Sequence, residues 1–381
     1  MRDKAEHVKL LVQPEDGIKP LIEGIDKAKK NIRILIFRFD RSEIEKALVD
    51  AVGRGVAVHA LIAYTNRGEE KNLRKLEMRL LEKGITVART ADDLVRYHGK
   101  MMIVDDKALY VLAYNFTHLD IDLSRSFGII TQEPKVVEEA VRLFEADARR
   151  QPYTDSKCED LIVSPVNARE RLTKFIQGAK KRLLLYEMKI SDRDIIKLLD
   201  RKMADGVEVR VLSRASAKGG SIPVRRLSGR LHLRAILRDG ESAFVGSQSL
   251  RKLELEARRE IGVIVRDKPI VKKMEAIFEK DWKDSEPVIE HDAITTALHV
   301  PAKKVAKEVA KHVAVKPVIE QVIDRVMEKH DDAPFEPEEV AQTVREAFRE
   351  EVHGAVVTAL RELVTQAVQE DGPTEKKEAA K

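Results

Sequence analysis

A single cysteine, Cys158, and a single tryptophan occur among 381 residues. One thiol cannot close an intrachain disulfide, which leaves the fold to its core and suits a reducing, cytoplasmic setting. It also argues against a structural zinc site, which draws on several cysteines or clustered histidines; neither a metal nor an organic cofactor is expected. Aromatic residues are only 4% of the chain, too few for a platform on which single-stranded nucleic acid would stack. No apolar run approaches the roughly 18 residues that a spanning helix needs. The opening residues, Met1 to Glu6, have no apolar signal-peptide core. Contact with a membrane, if any, is then expected to be peripheral.

What is present is a core and an uneven charge. Hydrophobic residues at 43% and charged residues at 35% describe a globular chain, long enough for two domains or one large double unit. Of 70 basic and 65 acidic residues, 13 and 18 fall in 291–381. The first 290 residues therefore carry +10 and the remainder −5. A basic body suits a phosphate-bearing substrate, whether a nucleic acid or an anionic lipid head group; it equally describes a solvated surface of both signs.

The chain repeats itself. Ala28-Lys29-Lys30 and the apolar Ile32 to Phe37 recur as Ala179-Lys180-Lys181 and Leu183 to Tyr186. An amphipathic helix precedes each strand, carrying Ile18, Leu21, Ile22 and Ile25 in one copy and Leu172, Phe175 and Ile176 in the other. A second helix follows, over 42–52 and 191–203, with Ser42 and Ser191 expected as N-caps and Glu45 and Asp194 three residues on. Gly55-Val56-Ala57-Val58 then matches Gly206-Val207-Glu208-Val209, still at an offset of 151. The offset later falls to 134 because the first copy carries 17 extra residues, much of them a charged helix over 69–83. Register held through helix, strand, helix and strand signals duplication. Helices alternating with strands give an α/β fold in which helices cover both faces of a mixed sheet.

At the 134-residue offset stand two histidine phrases: His98-Gly99-Lys100 with Asp105, and His232-Leu233-Arg234 with Asp239. On strands, each histidine shares a face with the cation two residues on. A neutral imidazole attacks phosphorus without the repulsion an anion would meet, giving a phosphohistidine. A second, protonated imidazole donates to the leaving oxygen. Lysine and arginine neutralise the non-bridging oxygens as charge builds. A lone His-x-Lys reads as an ordinary edge-strand residue; two at equivalent positions read as one site made of two halves. His59, His118, His299, His312 and His353 have no such counterpart. Asp105 and Asp239 fall at turns, where structural hydrogen bonding is the expected role.

Over about residues 10–285 the chain resembles the phospholipase D superfamily, whose signature is His-x-Lys-x4-Asp followed by Gly-Ser, Asn and Glu. The resemblance implies a duplicated α/β/α sandwich with two mixed sheets side by side, divided at 1–155 and 156–290. It implies phosphate-binding roles for Lys100, Asn115, Arg234, Ser247 and Ser249, and catalytic roles for His98, His232, Lys100, Arg234 and Glu260. The signature is incomplete. Leu112-Ala113 replaces Gly-Ser in the first copy, and Ser126 stands where a glutamate would brace the histidine. In the second copy Glu260 survives, but lysine has become Arg234 and asparagine Ser249. Arginine keeps the charge but changes reach and geometry. His98 is thereby expected to lack its acid unless Asp120 or Asp122 reaches in. Family analogy makes His98 the nucleophile and His232 the acid; the surviving Glu260 argues for the reverse.

Three readings stay open: a phosphodiesterase or phosphatidyltransferase acting on a phospholipid, a nuclease, and a noncatalytic phosphate-binding protein. The loop over 214–230, with Lys218, Arg225 and Arg226, is expected to guard the cleft or to be merely structural. Residues 291–370 read as amphipathic helices that pack against the body, join copies into a homo-oligomer or lie on a membrane surface, and 371–381 as a disordered tail.

Overall fold

The computed structural model describes residues 7–64, 70–213 and 222–288, all within one compact unit that runs to Glu290. The helical region expected over 291–370, the tail beyond it, and residues 214–221 of the expected 214–230 loop lie outside the described residues; Val224–Leu227, expected within that loop, is a strand.

Two mixed sheets carry the duplication. The first runs Val8–Gln13, Ser124–Thr131, Ala108–Leu112, Met101–Val104, Asn31–Ile36, Ala57–Ile62, Thr86–Arg89. The second repeats that order as Leu161–Val163, Ile261–Val265, Ser242–Gly246, Ala235–Arg238, Arg182–Glu187, Glu208–Ser213, Val224–Leu227, with Ser285–Pro287 added at the edge. The central strands are buried along their length, as Met101–Val104 and Ile261–Val265 show. Continuous apolar runs are what a sheet covered on both faces requires.

Three apolar clusters make the layers. The outer face of the first sheet packs under the helices Lys19–Asp26, Ser42–Gly53 and Glu70–Glu82 through residues such as Leu21, Leu48 and Leu76. The outer face of the second packs under Ala168–Gln177 and Arg193–Ala204 through Leu172, Phe175 and Leu199. The central cluster belongs to both copies: Leu35, Met101 and Phe127 share it with Tyr186, Leu233 and Ile261. Its helices are Pro134–Ala148, which buries Val136, Val137, Ala140, Leu143 and Phe144, and Lys268–Lys283, which buries Val271, Met274 and Phe278. Those spacings are the single stripe of an amphipathic helix. The extra helix of the first copy forms as expected, over Glu70–Glu82.

The expected caps fall one residue off. Asp192, not Ser191, caps its helix, accepting from the amides of Asp194 at 3.2 Å and Ile195 at 3.1 Å. A carboxylate there satisfies free amides and complements the helix dipole better than a hydroxyl. Ser42 is the first helical residue, and Arg41 before it makes no capping bond. Arg41 instead pairs with Glu43 at 2.9 Å and with Asp122.

Candidate active site

The copies meet through two short parallel ladders, and these place the histidines. Arg96–Tyr97 pairs with Arg258–Arg259, and Arg230–Leu231 pairs with Ser124–Arg125. Each ladder continues by one bond: the His98 amide donates to Arg259 O at 2.7 Å, and the His232 amide to Arg125 O at 3.1 Å. Each histidine therefore enters beside the residue that follows the two-residue ladder on the opposite copy, which is Glu260 for His98 and Ser126 for His232. His98 to Lys100 form the connection between the strands Arg96–Tyr97 and Met101–Val104, and His232 to Arg234 that between Arg230–Leu231 and Ala235–Arg238, so neither phrase lies on a strand as expected from sequence.

This crossing corrects the expected bracing. The two oxygens of Glu260 lie 3.0 and 2.9 Å from His98 Nδ1. The second copy's glutamate thus serves the first copy's histidine. Lys100 Nζ donates to His98 O at 2.6 Å and sits 2.9–3.0 Å from both ring nitrogens. The Phe37 ring meets the imidazole edge-on, centroids 4.5 Å apart. Gly99 is needed because a Cβ there would lie 2.6 Å from Ile261 Cδ1. The equivalent Leu233 fills the core instead.

Where the first copy's glutamate would have served His232, the Ser126 hydroxyl donates to His232 O at 2.7 Å. Asp120 does reach in, but to His232: its Oδ2 lies 3.1 Å from Nδ1, off the line of a well-directed hydrogen bond. The same oxygen accepts from Asn115, at 2.9 Å from the amide and 2.6 Å from Nδ2, while Oδ1 takes Arg230 at 2.7 Å. Asp122 pairs with Arg41 and His118 and not with either site histidine. Glu254 is the repeat counterpart of Asp120, accepting from the Ser249 amide at 2.9 Å and pairing with Arg258 at 3.1 Å. Acids five residues past Asn115 and Ser249 are a signal present in the repeat; the sequence reading points to Asp120 as a partner for His98, and the structure gives it to His232.

The remaining motif residues cluster here with differing partners. Arg234 Nε donates to Ser249 Oγ at 3.2 Å, while its buried Nη1 has no hydrogen-bond partner. Asn115 Oδ1 is likewise buried and unpartnered. The Ser247 hydroxyl accepts from the Ile261 amide at 3.1 Å and donates to Ile261 O at 3.3 Å. Asp105 and Asp239 lie at the far ends of their hairpins. Asp105 accepts from the amides of Lys29, Lys30 and Asn31 at 2.6–3.1 Å, and Asp239 from those of Lys180, Lys181 and Arg182 at 2.7–2.9 Å. Both sit at positive φ, 55° and 56°, which aspartate tolerates better than most residues.

Burial sets the protonation. His98 is held well below its usual value by burial, then by Lys100 and Arg234, with His232 adding to the effect. His232 is pushed down to about 4 by burial, against Asp120, which favours its charged form. Both imidazoles are thus neutral at pH 7. Burial brings Lys100 down to about 7, opposed by Glu260. Burial raises Glu260, with Lys100 opposing. For Asp120 burial works upward, but His232, Arg230 and the Asn115 amide outweigh it and hold the carboxyl well below its usual range. No cluster of metal-ligating side chains occurs among the described residues, and no helix among them is long and apolar enough to cross a membrane.

Comparison with known proteins agrees with this arrangement. The family model described as "Cardiolipin synthase, PLD-like domain" matches residues 21–148 and 172–282, one segment per copy. Mitochondrial cardiolipin hydrolase of Danio rerio is 28% identical over 131 residues, covering 33% of this chain and 56% of that protein. The crystal structure of phosphatidylserine synthase from Haemophilus influenzae shares the fold with a TM-score of 0.61 at 12% identity, over 82% of this chain and 94% of that one. Polyphosphate kinase from Porphyromonas gingivalis gives the same TM-score at 20% identity, over 72% of this chain but only 47% of its own. With a duplicated fold and the family model matched in both copies, the chain belongs to the phospholipase D superfamily.

Proposed function

We propose that the chain is a metal-independent phosphodiesterase or phosphatidyltransferase acting on a phospholipid through a phosphohistidine. The observation that carries this reading is a pair of buried neutral imidazoles, each with a carboxylate at Nδ1, beside Lys100 and Arg234. A carboxylate at Nδ1 fixes the tautomer that leaves Nε2 as the working atom, and it stabilises the cation formed when that atom bonds to phosphorus or takes a proton.

His98 is assigned as nucleophile, since Glu260 now supports the same role that family analogy gave it. Its Nε2 lone pair forms the bond to phosphorus as the bond to the leaving oxygen breaks. That oxygen takes its proton from His232, which has gained it from solvent as the anionic diester binds. His232 then removes a proton from water or an alcohol, whose oxygen displaces His98 and restores the free imidazole. Lys100 and Arg234 face the non-bridging oxygens, and the charge of the bound diester favours the imidazolium that His232 must reach. A phospholipid substrate is supported by what the relatives' names say they act on or make: cardiolipin in one, phosphatidylserine in the other.

The test is diester cleavage in the presence of chelator, on cardiolipin and other phospholipids, single- and double-stranded DNA and a chromogenic diester. His98→Ala and His232→Ala proteins run alongside. Turnover that survives chelation, is lost in both variants and leaves phosphate on His98 supports the mechanism. Preference for DNA would move the substrate to nucleic acid, and no turnover above the variants on any substrate would leave a phosphate-binding protein.

A further inference from the structure

Two arginines stand immediately before the residues that meet the histidines. Arg259 precedes Glu260 and Arg125 precedes Ser126, and their carbonyls take the amides of His98 at 2.7 Å and His232 at 3.1 Å. Each of the ladders to which these bonds belong is only two residues long. A strand pair that short is marginal by itself, yet a two-histidine reaction needs its imidazoles placed to a fraction of an ångström. Something beyond the ladders must hold them.

The arginine side chains are anchored in the same way twice. Arg259 Nη2 lies 3.0 Å from Asp147 Oδ1, and Nη1 donates to Ser164 O at 3.2 Å. Arg125 Nε lies 2.9 Å from Asp281 Oδ2, Nη2 donates to Oδ1 at 3.3 Å and Nη1 to Gln13 O at 3.0 Å. The aspartates, like the arginines, are 134 residues apart. Asp147 lies in Pro134–Ala148 and Asp281 in Lys268–Lys283, the two helices of the shared core, and both are buried. The Tyr97 and Tyr153 rings each lie 5.6 Å from the Arg259 guanidinium, and Tyr186 donates to Asp281 Oδ2 at 2.8 Å. Burial lifts Asp147 to about 6, against Arg259, so at pH 7 that pair is charged. A charge pair in a core is a poor source of stability, since apolar side chains of similar volume often do as well. It does supply direction. Each aspartate grips an arginine of the opposite copy, and the carbonyl of that arginine holds the histidine of the aspartate's own copy.

We propose that Asp147 and Asp281 are positioning residues for the two-histidine reaction: Asp147 fixes His98 through Arg259, and Asp281 fixes His232 through Arg125. Neither aspartate touches the substrate. Arg125 has a second acid in the exposed Glu15, at 2.7 Å, so the larger effect is expected at Asp147. The inference rests on the two-histidine reading above, since it assigns each clasp to one step of that reaction.

The experiment compares Asp147→Asn and Asp281→Asn, which keep size and remove charge, on two substrates and by proton NMR. Asp147→Asn should slow the step made by His98, lowering the burst on a nitrophenyl diester and kcat on phospholipid alike, about 10- to 100-fold with KM within about twofold. Asp281→Asn should lower kcat on phospholipid about 10-fold and leave the burst rate within about twofold, because a nitrophenyl leaving group needs no proton. The ring Nδ1 protons report the same without turnover: Asp147→Asn should shift that of His98, and Asp281→Asn that of His232. Burst and lipid turnover slowed in equal proportion by both variants, or ring protons unmoved by either, would mark the pairs as structural and overturn the proposal. Where an asparagine variant does not fold, Asp147→Leu with Arg259→Met, or Asp281→Leu with Arg125→Met, takes its place. Stability regained with the histidine's step still slow would support the proposal; stability and rate regained together, or no folding, would overturn it. Selective shifts of the ring protons in a protein that turns over no diester would overturn the enzymatic reading and keep this one.

Discussion

The two half-sites share a backbone and differ in chemistry. In both, a short parallel ladder delivers the histidine beside the other copy, and a distant aspartate collects three amides to hold the hairpin. His98, however, has a glutamate with both oxygens within 3.0 Å, an aromatic ring packed edge-on with it and a lysine beside it. His232 has a shared, less well-directed aspartate and an arginine two residues on. On the proposed assignment, the tighter brace suits the nucleophile that forms a covalent bond along one line, and the looser one a group that passes a proton to two oxygens in turn. Duplication supplies symmetry cheaply, and a reaction with distinct steps uses the departures from it.

The sharpest way to break the comparison is to remove each imidazole. His98→Ala should lose about 10^4-fold or more on every diester, because no bond to phosphorus can form. His232→Ala should lose about 10^2- to 10^4-fold on lipid substrates, yet keep an initial burst on a nitrophenyl diester, whose leaving group needs no proton. Burst kinetics on both proteins check this, and a burst in His98→Ala alone would reverse the roles. Next come the braces. Glu260→Gln should cost about 10^2-fold or more and Asp120→Asn about tenfold less than that, as the directness of the two contacts implies. Lys100 offers a pH signature. Its ammonium, lowered to about 7, is present below that value and lost above it. kcat/KM should therefore fall as pH rises through about 7, and Lys100→Arg should remove that limb whatever it does to the rate. The smallest effects probe the symmetry itself. Asp105→Ala and Asp239→Ala should each cost about 1–3 kcal/mol, nearly equally, as judged by denaturant unfolding.

Much of this could be read from the residues in order. The histidine phrases declared themselves because the repeat placed them in register, and the strands around them are apolar runs that no other element suits. The cross-wise bracing was hidden, because which acid meets which histidine is set by two ladders of two residues each between the copies. Such ladders have no periodicity to detect. Sequence order pairs Glu260 with the histidine 28 residues before it, and the fold pairs it with the one 162 residues before it. Ser42 and Ser191 fit a capping pattern that the adjoining residues displaced by one.

The shared central cluster and the exchanged acid have a consequence for how this gene product can change. Two copies of a duplicated unit are ordinarily free to drift, one keeping the old task while the other varies. Here residue 260 supplies the acid at the ring of residue 98, and residue 126 holds the backbone carbonyl of residue 232, so each copy carries part of the other's half-site. Neither can become a spare.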